Sequence, residues 1–409
     1  MLFRYGKTSN GNIEKKAHIY TADEHGIDPH LVGADALWVI RGLRKGGFQA
    51  YVVGGAVRDM LVGRTPNDFD IATNAHPQQI KRLFRSARVI GRRFRLVHVY
   101  SSREKYIEVS TFRSRSPAVE AGMPLPEDAN NHFGTMEEDS QRRDFTVNAL
   151  YYCPIDGQLI DYVGGYEDIR QKRLRTLVKA DESFVEDPVR MIRAVKYASL
   201  LDFPIPLPMA GLIRRLRESL LTCSRERVTE EVYKILTSGA SATILENAHT
   251  MRLFEIILPA HERKLMEGRG RFAESAFGMK LAELDARTAE GVVLDRGDMF
   301  GFLFADLARE RADLFAGDEP DLLVQRFIRS ESAPLFPSKK DLAVAAAGLL
   351  RELMPHKTRA AARAPGGARG RAGLDDGQGP AKKRPRRRRG RGGRRPPTGA
   401  GPGAPQGHA

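Results

Sequence analysis

The sequence predicts an α+β protein. It has a small head with a mixed β-sheet, all-helical neck and body domains after it, and a disordered basic C-terminal tail. Three observations lead there. Short apolar runs of strand length crowd residues 48–112. From residue 183 to about residue 355 the apolar residues recur at helical spacing instead. Beyond residue 356 the chain is Ala, Gly, Pro and Arg, with too little apolar surface to pack.

A chain of 409 residues is long enough for two or three domains. Its 41% hydrophobic and 29% charged residues are a globular composition. The net charge is +15, but residues 356–409 hold 15 Lys and Arg against only Asp375 and Asp376, so the tail carries +13 and the rest is nearly neutral. Cys153 and Cys223 have no zinc or disulfide spacing. No apolar run reaches the length of about 18 residues that a membrane span needs, and the N-terminus lacks an apolar signal core. The expectation is a cytoplasmic protein with no membrane partner.

The elements follow in order. Residues 1–28 are polar and read as a loosely ordered extension. Leu31, Leu37, Ile40 and Leu43 mark a helix that Gly46 and Gly47 stop. "FQAYVVGG" and "NDFDIAT" read as strands, "HPQQIKRLF" as a helix, and "ARVIG", "RLVHVY" and "YIEVSTF" as further strands. Residues 114–138 form a long loop, "DSQRRDFTVNALYY" reads as a helix, and "IDYVGGYEDIRQKRLRTL" closes a head over 29–180. A helical neck covers 181–260, a helical body covers 261–355, and the Arg-rich tail is 356–409.

"VGGAVRDMLVGRTPNDFDIAT" (53–73) raises the chemical question. Positions i and i+2 of a strand share a face, so Asp68 and Asp70 would point together. Two like charges so placed call for cations. A pair of divalent ions about 3.5–4 Å apart would supply them and would clamp both oxygens of a phosphoryl transfer. Glu108 lies opposite the core residues Ile107 and Val109 and is a candidate third ligand. Gly54 and Gly55 let backbone N–H groups approach phosphate oxygens, and Arg58 follows within reach of a triphosphate. A lone D-x-D is usually a solvated surface and a lone GG turn is usually structural. The joint pattern is far more specific than either.

That stretch resembles the active-site signature of the class II nucleotidyltransferases, the family of tRNA CCA-adding enzymes and bacterial poly(A) polymerases. "RRDFTVNALYY" (142–152), "DYVGGYEDIR" (161–170) and "EDPVRMIRAVKYAS" (186–199) match in the same order, and the resemblance extends from about residue 29 to 260. It implies a mixed α/β head with helical neck and body, and transfer of a nucleotide with Mg2+. It also implies that Asp68 and Asp70 hold magnesium, that Asp144 is catalytic, that Arg143 and Asn148 hold the nucleotide, and that Gly55 and Arg58 cradle the triphosphate. On the helix "EDPVRMIRAVK", Asp187, Arg190 and Arg193 are spaced by three and share a face. Spacing alone favours an intrahelical salt bridge. The resemblance makes that face a protein template for the base. An aspartate accepts from the amino group, and an arginine donates to the ring nitrogen, that adenine and cytosine present in the same order and guanine and uracil reverse. Lys196 stands where the family usually has arginine and keeps a point cation for phosphate.

Asp and Arg select A and C together, so the choice between them rests elsewhere. "VIGRRFRLVHV" (89–99) resembles a segment typical of bacterial poly(A) polymerases and adds Arg92, Arg93 and Arg95. The expectation is therefore template-independent addition of AMP from ATP to RNA 3′ ends, of mRNA or tRNA, with the RNA-degradation machinery as a further partner. The alternatives are a CCA-adding enzyme and a non-catalytic RNA-binding protein on a transferase scaffold.

Overall fold

The computed structural model describes residues 2–7, 13–91, 95–114, 132–268, 270–292 and 294–354. Residues Met1–Thr358 form one compact unit. The basic tail, Arg92, Arg93 and most of the long loop expected over 114–138 lie outside the described residues.

One nine-stranded sheet organises the head. Its strands are β1 (Leu2–Lys7), β2 (Ile13–Tyr20), β3 (Ala50–Val53), β4 (Asp70–Thr73), β5 (Ala87–Ile90), β6 (Leu96–Tyr100), β7 (Tyr106–Thr111), β8 (Leu150–Cys153) and β9 (Gln158–Asp161). They run in the order β1-β2-β9-β8-β3-β4-β7-β6-β5. Among the described residues every pair of neighbours is antiparallel except β4 and β7, which are parallel.

Side-chain alternation sends Val52, Ile71, Val97, Val99, Ile107 and Val109 into the main core. The Ala34–Lys45 helix covers that face with Ala36, Val39, Ile40 and Leu43, which recur at helical spacing. The opposite face carries a smaller cluster, with Tyr51, Val53, Ala72, Phe112 and Tyr151 packed on Met136 of the Met136–Gln141 helix. Asp70 and Glu108 lie on this second face.

Two expectations are corrected here. The N-terminal residues are not a loose extension. β2 pairs with β9, matching His18 to Asp161 and Tyr20 to Leu159, and β1 pairs with β2 at the sheet edge. Backbone hydrogen bonding to an existing strand orders this polar segment, with Ala17 and Tyr20 buried beneath it. Nor is "DSQRRDFTVNALYY" one helix. The Met136–Gln141 helix ends within it, a 3-10 turn spans Thr146–Asn148, and β8 begins at Leu150. The strand register with β3 and β9 overrides the local helical pattern.

The remainder is helical. The Ala180–Glu186, Val189–Leu201 and Arg225–Leu236 helices lie next after the head in sequence. The Arg296–Glu310 and Lys339–Leu353 helices pack against each other further on. No helix of the described residues is long and apolar enough to cross a membrane.

Candidate active site

β3 ends in the glycine turn, which opens the Gly55–Leu61 helix. Gly54 has φ +71°, a conformation that a side chain would strain. A Cβ there would sit 3.6 Å from Arg143 Nη1 and 3.8 Å from Asp70 Oδ2. The absent side chain therefore marks the space shared by the turn, a cation and a carboxylate.

Asp70 is the first residue of β4, and its parallel partner across the ladder is Glu108. Asp68 precedes the strand, so the strand argument for the pair holds for Asp70 alone. Phe69 turns away to pack against the main core. The three carboxylates still act on one another. Desolvation by the surrounding chain raises the Asp70 pKa although the residue stays exposed, and so does the charge of Asp68, while Arg143 and Lys234 oppose both. Burial likewise raises Glu108, followed by the charge of Asp70. Neither the Asp68 nor the Asp70 carboxylate has a hydrogen-bond or ion-pair partner among the described residues, and the His98 ring, whose cationic form burial disfavours, lies 4.0 Å from Glu108. Paired oxygen donors with no direct ion-pair partner suit a hard divalent cation. Among the described residues, no group of three or more His, Cys, Asp or Glu forms that could hold a metal ion. Glu108 is a carboxyl neighbour of the pair across the β4–β7 ladder.

Arg143 bounds the cleft on the other side. Its Nη2 donates to Asp139 Oδ2 at 3.1 Å, its Nη1 to the Asn148 carbonyl at 3.3 Å, and it lies 5.3 Å over the Tyr151 ring. Asp139 also accepts from the Tyr151 hydroxyl at 2.7 Å and from the Arg113 N–H at 3.2 Å. Burial, and after it the neighbouring Arg142 guanidinium, pushes Arg113 down to about 10. Arg143 Nε and Arg142 Nη1 are buried without a hydrogen-bond partner, which leaves two donors for an anionic ligand.

Asp144 faces a different set of groups. Its Oδ1 accepts from the Phe145 N–H at 2.8 Å and from Asn148 Nδ2 at 3.3 Å, and its Oδ2 lies 2.9 Å from Arg193 Nη2. Arg58 donates to Asn148 Oδ1 at 2.9 Å and stacks 4.8 Å over Tyr197, whose hydroxyl accepts from Arg193 at 2.9 Å. The ring Arg58, Asn148, Asp144, Arg193, Tyr197 joins the glycine-turn helix to the Val189–Leu201 helix. Glu231 of the Arg225–Leu236 helix extends it, paired with Lys196 and 3.9 Å from Arg193. Burial works against the Glu231 charge, but Lys196 and Arg193 win and hold its pKa below the usual value. Lys196 is therefore a buried partner of Glu231, with the residue only 5% exposed.

Asp187 does not share the helix face with Arg190 and Arg193. Pro188 follows it, and the helix begins at Val189. Its Oδ2 accepts from Arg227 at 2.6 Å, while Arg190 bonds Glu186 at 2.8 Å and Ser183 Oγ at 3.1 Å. The intrahelical bridge that spacing favoured is absent from the structure.

The structure thus gathers Gly54, Asp68, Asp70, Glu108 and Arg143 at one cleft. Gly55 and Arg58 stand beside it, Asn148, Asp144 and Arg193 form a joint behind it, and Asp187 and Arg190 stand apart with partners of their own. Sequence reasoning missed Asp139, Tyr197 and Glu231. Asp139 and Glu231 were legible only as acids in helical runs, with no local sign of what they meet.

Comparisons with known proteins agree with this geometry. Residues 50–175 match the family described as Poly A polymerase head domain, and residues 202–265 match one described as Probable RNA and SrmB- binding site of polymerase A. The chain is 35% identical over 311 residues to Poly(A) polymerase I of Haemophilus influenzae, covering 74% of this chain and 68% of that one. It is 40% identical over 220 residues to a CCA-adding enzyme of Bacillus subtilis, covering 54% of each. A crystal structure of the Bacillus stearothermophilus CCA-adding enzyme in complex with CTP superposes with a TM-score of 0.50 at 27% identity, over 78% of this chain and 82% of that one. With the glycine turn, the D-x-D pair and the RRD segment in place, the chain belongs to the class II nucleotidyltransferase family and is a nucleotidyltransferase.

Proposed function

We propose that this protein adds AMP from ATP to the 3′ ends of RNA without a template. The observation that carries the reading is the Asp68–Asp70 pair, free of hydrogen-bond and ion-pair partners among the described residues, with Asp70 beside the Gly54 turn and Arg143. Asp68 and Asp70 would hold magnesium. The bound ion would neutralise the carboxylates and polarise the phosphoryl oxygens.

The chain's own groups do the rest. The 3′-hydroxyl oxygen bonds to the α-phosphorus, the bond to pyrophosphate breaks, and the hydroxyl proton departs. Gly54 and Gly55 let the phosphates approach the backbone. Arg143 Nε and Arg142 Nη1, unpaired inside the protein, donate to phosphate oxygens. Asp144 acts as a positioning residue, because Phe145, Asn148 and Arg193 already hold its carboxylate. For Asp187 and Arg190 to meet adenine, Asp187 exchanges Arg227 for the amino group of the base, and Arg190 releases Glu186.

Adenylylation is preferred because the likeness to Poly(A) polymerase I runs over 74% of this chain, against 54% and 68% for the CCA-adding enzymes of Bacillus subtilis and Bacillus velezensis. CCA addition is the second reading, favoured by the fold likeness to the CTP complex. Purified protein with a tRNA lacking its CCA end, offered ATP alone and then CTP alone, separates them. Long tails from ATP support the first reading. CTP incorporation followed by a single A supports the second.

A further inference from the structure

The open face of the sheet continues past the catalytic acids as a ladder of aromatic rings. Tyr106 and Glu108 occupy the same face of β7, two residues or about 7 Å apart. Tyr106 pairs with Tyr100 of β6, and Glu108 with His98. The His98 and Tyr106 rings stack in parallel, with centroids 4.0 Å apart and planes at 9°. Tyr100 and Tyr106 lie 5.5 Å apart, and the Arg88 guanidinium caps Tyr100 at 5.2 Å. Arg88 belongs to β5, the last strand of the sheet, and pairs in register with His98.

Cross-strand aromatic pairs often do no more than tie strands together. Two features set this one apart. Tyr106 is 45% exposed, so its ring spends much of its area on solvent. Arg88 is exposed and has no acidic partner among the described residues, so its charge is uncompensated. Flat rings open to solvent beside an unpaired arginine on a sheet face are the means by which proteins hold single-stranded nucleic acid: bases stack on the rings and the cation meets a phosphate. The ladder leads straight to Glu108 and, through the parallel pairing, to Asp70.

We propose that His98, Tyr100 and Tyr106, with Arg88, form a stacking platform for the unpaired bases next to the 3′ end of the RNA primer. The platform delivers the terminal hydroxyl to Asp70. It rests on the reading of the chain as an RNA 3′-end nucleotidyltransferase and adds the surface that holds the primer strand. It is distinct from the Asp187 and Arg190 groups assigned to the incoming base. The contact is sequence-tolerant, because every base has a π-face.

The test uses the full chain and an oligo(A) RNA carrying 2-aminopurine next to its 3′ terminus. Binding to the wild-type protein should quench the probe. Tyr106→Ala should leave it bright and raise the half-saturating RNA concentration about tenfold, while the half-saturating ATP concentration stays put. Tyr106→Phe keeps the ring and should restore both readouts. Tyr100→Ala, with its melting midpoint checked, provides a second variant should Tyr106→Ala fold poorly. Unaltered RNA affinity in folded alanine variants would overturn the platform, as would an equal loss in Tyr106→Phe. Should wild-type protein quench the probe yet build CCA ends on tRNA, the adenylylation reading fails and the platform stands.

Discussion

The cleft at the start of β4 and the joint beneath it use the same kinds of side chain to opposite effect. In the joint, Asp144 meets Arg193, Glu231 meets Lys196, and Arg58 meets Asn148. Each charge there has a partner, as a buried charge must. In the cleft, Asp68 and Asp70 have none, and their charges act together on Glu108. A folded chain keeps such repulsion only where something from outside relieves it. Charge satisfaction thus separates the acids tied into the architecture from those left open to a ligand, although all of them sit in motifs of similar appearance.

The largest effect should come from emptying the cleft. Asp70→Ala or Asp68→Ala should lower AMP incorporation at least a thousandfold, about 4 kcal/mol, with an unchanged melting transition. Near-normal turnover in either variant would remove the metal role. The joint should respond the other way round. Glu231→Leu strands the buried Lys196 and should cost about 3 kcal/mol of stability in denaturant titrations. Because the Glu231 pKa is depressed by folding, its contribution is present above the ordinary carboxylate range and is lost as the pH falls through the folded value. Equal stability of variant and wild type at pH 7 would show that charge does not hold the joint.

A third comparison lies within the segment around Asp187. Asp187→Ala should raise the use of UTP and GTP relative to ATP about tenfold, on the order of one hydrogen bond. If all four nucleotides slow alike, Asp187 is only the partner of Arg227. The smallest effect concerns the repulsion itself. Folding raises the Asp70 and Glu108 pKa values, so their ionised forms weigh against the fold at neutral pH, and that cost fades on acidification. Glu108→Gln should therefore raise the melting midpoint of the metal-free protein at pH 7 slightly, on the order of 1 °C. The gain should shrink towards pH 5. A lower midpoint at pH 7 would mean that Arg113 and Lys234 outweigh the other carboxylates.

What the sequence disclosed follows from distance along the chain. Gly54, Arg58, Asp68 and Asp70 lie within a single short stretch, and turn chemistry with strand alternation placed most of them. β5, β6 and β7 were readable because Val97, Val99, Ile107 and Val109 alternate with polar residues. Asp144 and Arg193 meet across the fold, and nothing near either names the other. Asp187 was placed in a helix although Pro188 after it signalled a break. β1 and β2 were missed because their order comes from the free edge of β9, which no apolar pattern in residues 1–28 announces.

The single parallel pairing has a consequence for the order of assembly. β5, β6 and β7 form from neighbouring antiparallel segments, whereas β4 must wait for β7 across the helix and two strands between them in sequence. Closing such a non-local contact carries a larger loop-entropy cost than a hairpin and tends to come later in folding. The same register that brings Asp70 beside Glu108 brings Ile71 beside Val109, both wholly shielded from solvent. The electrostatic penalty of the paired carboxyl groups thus arrives together with the apolar contact that offsets it, and the nascent chain is spared that repulsion while it is still searching.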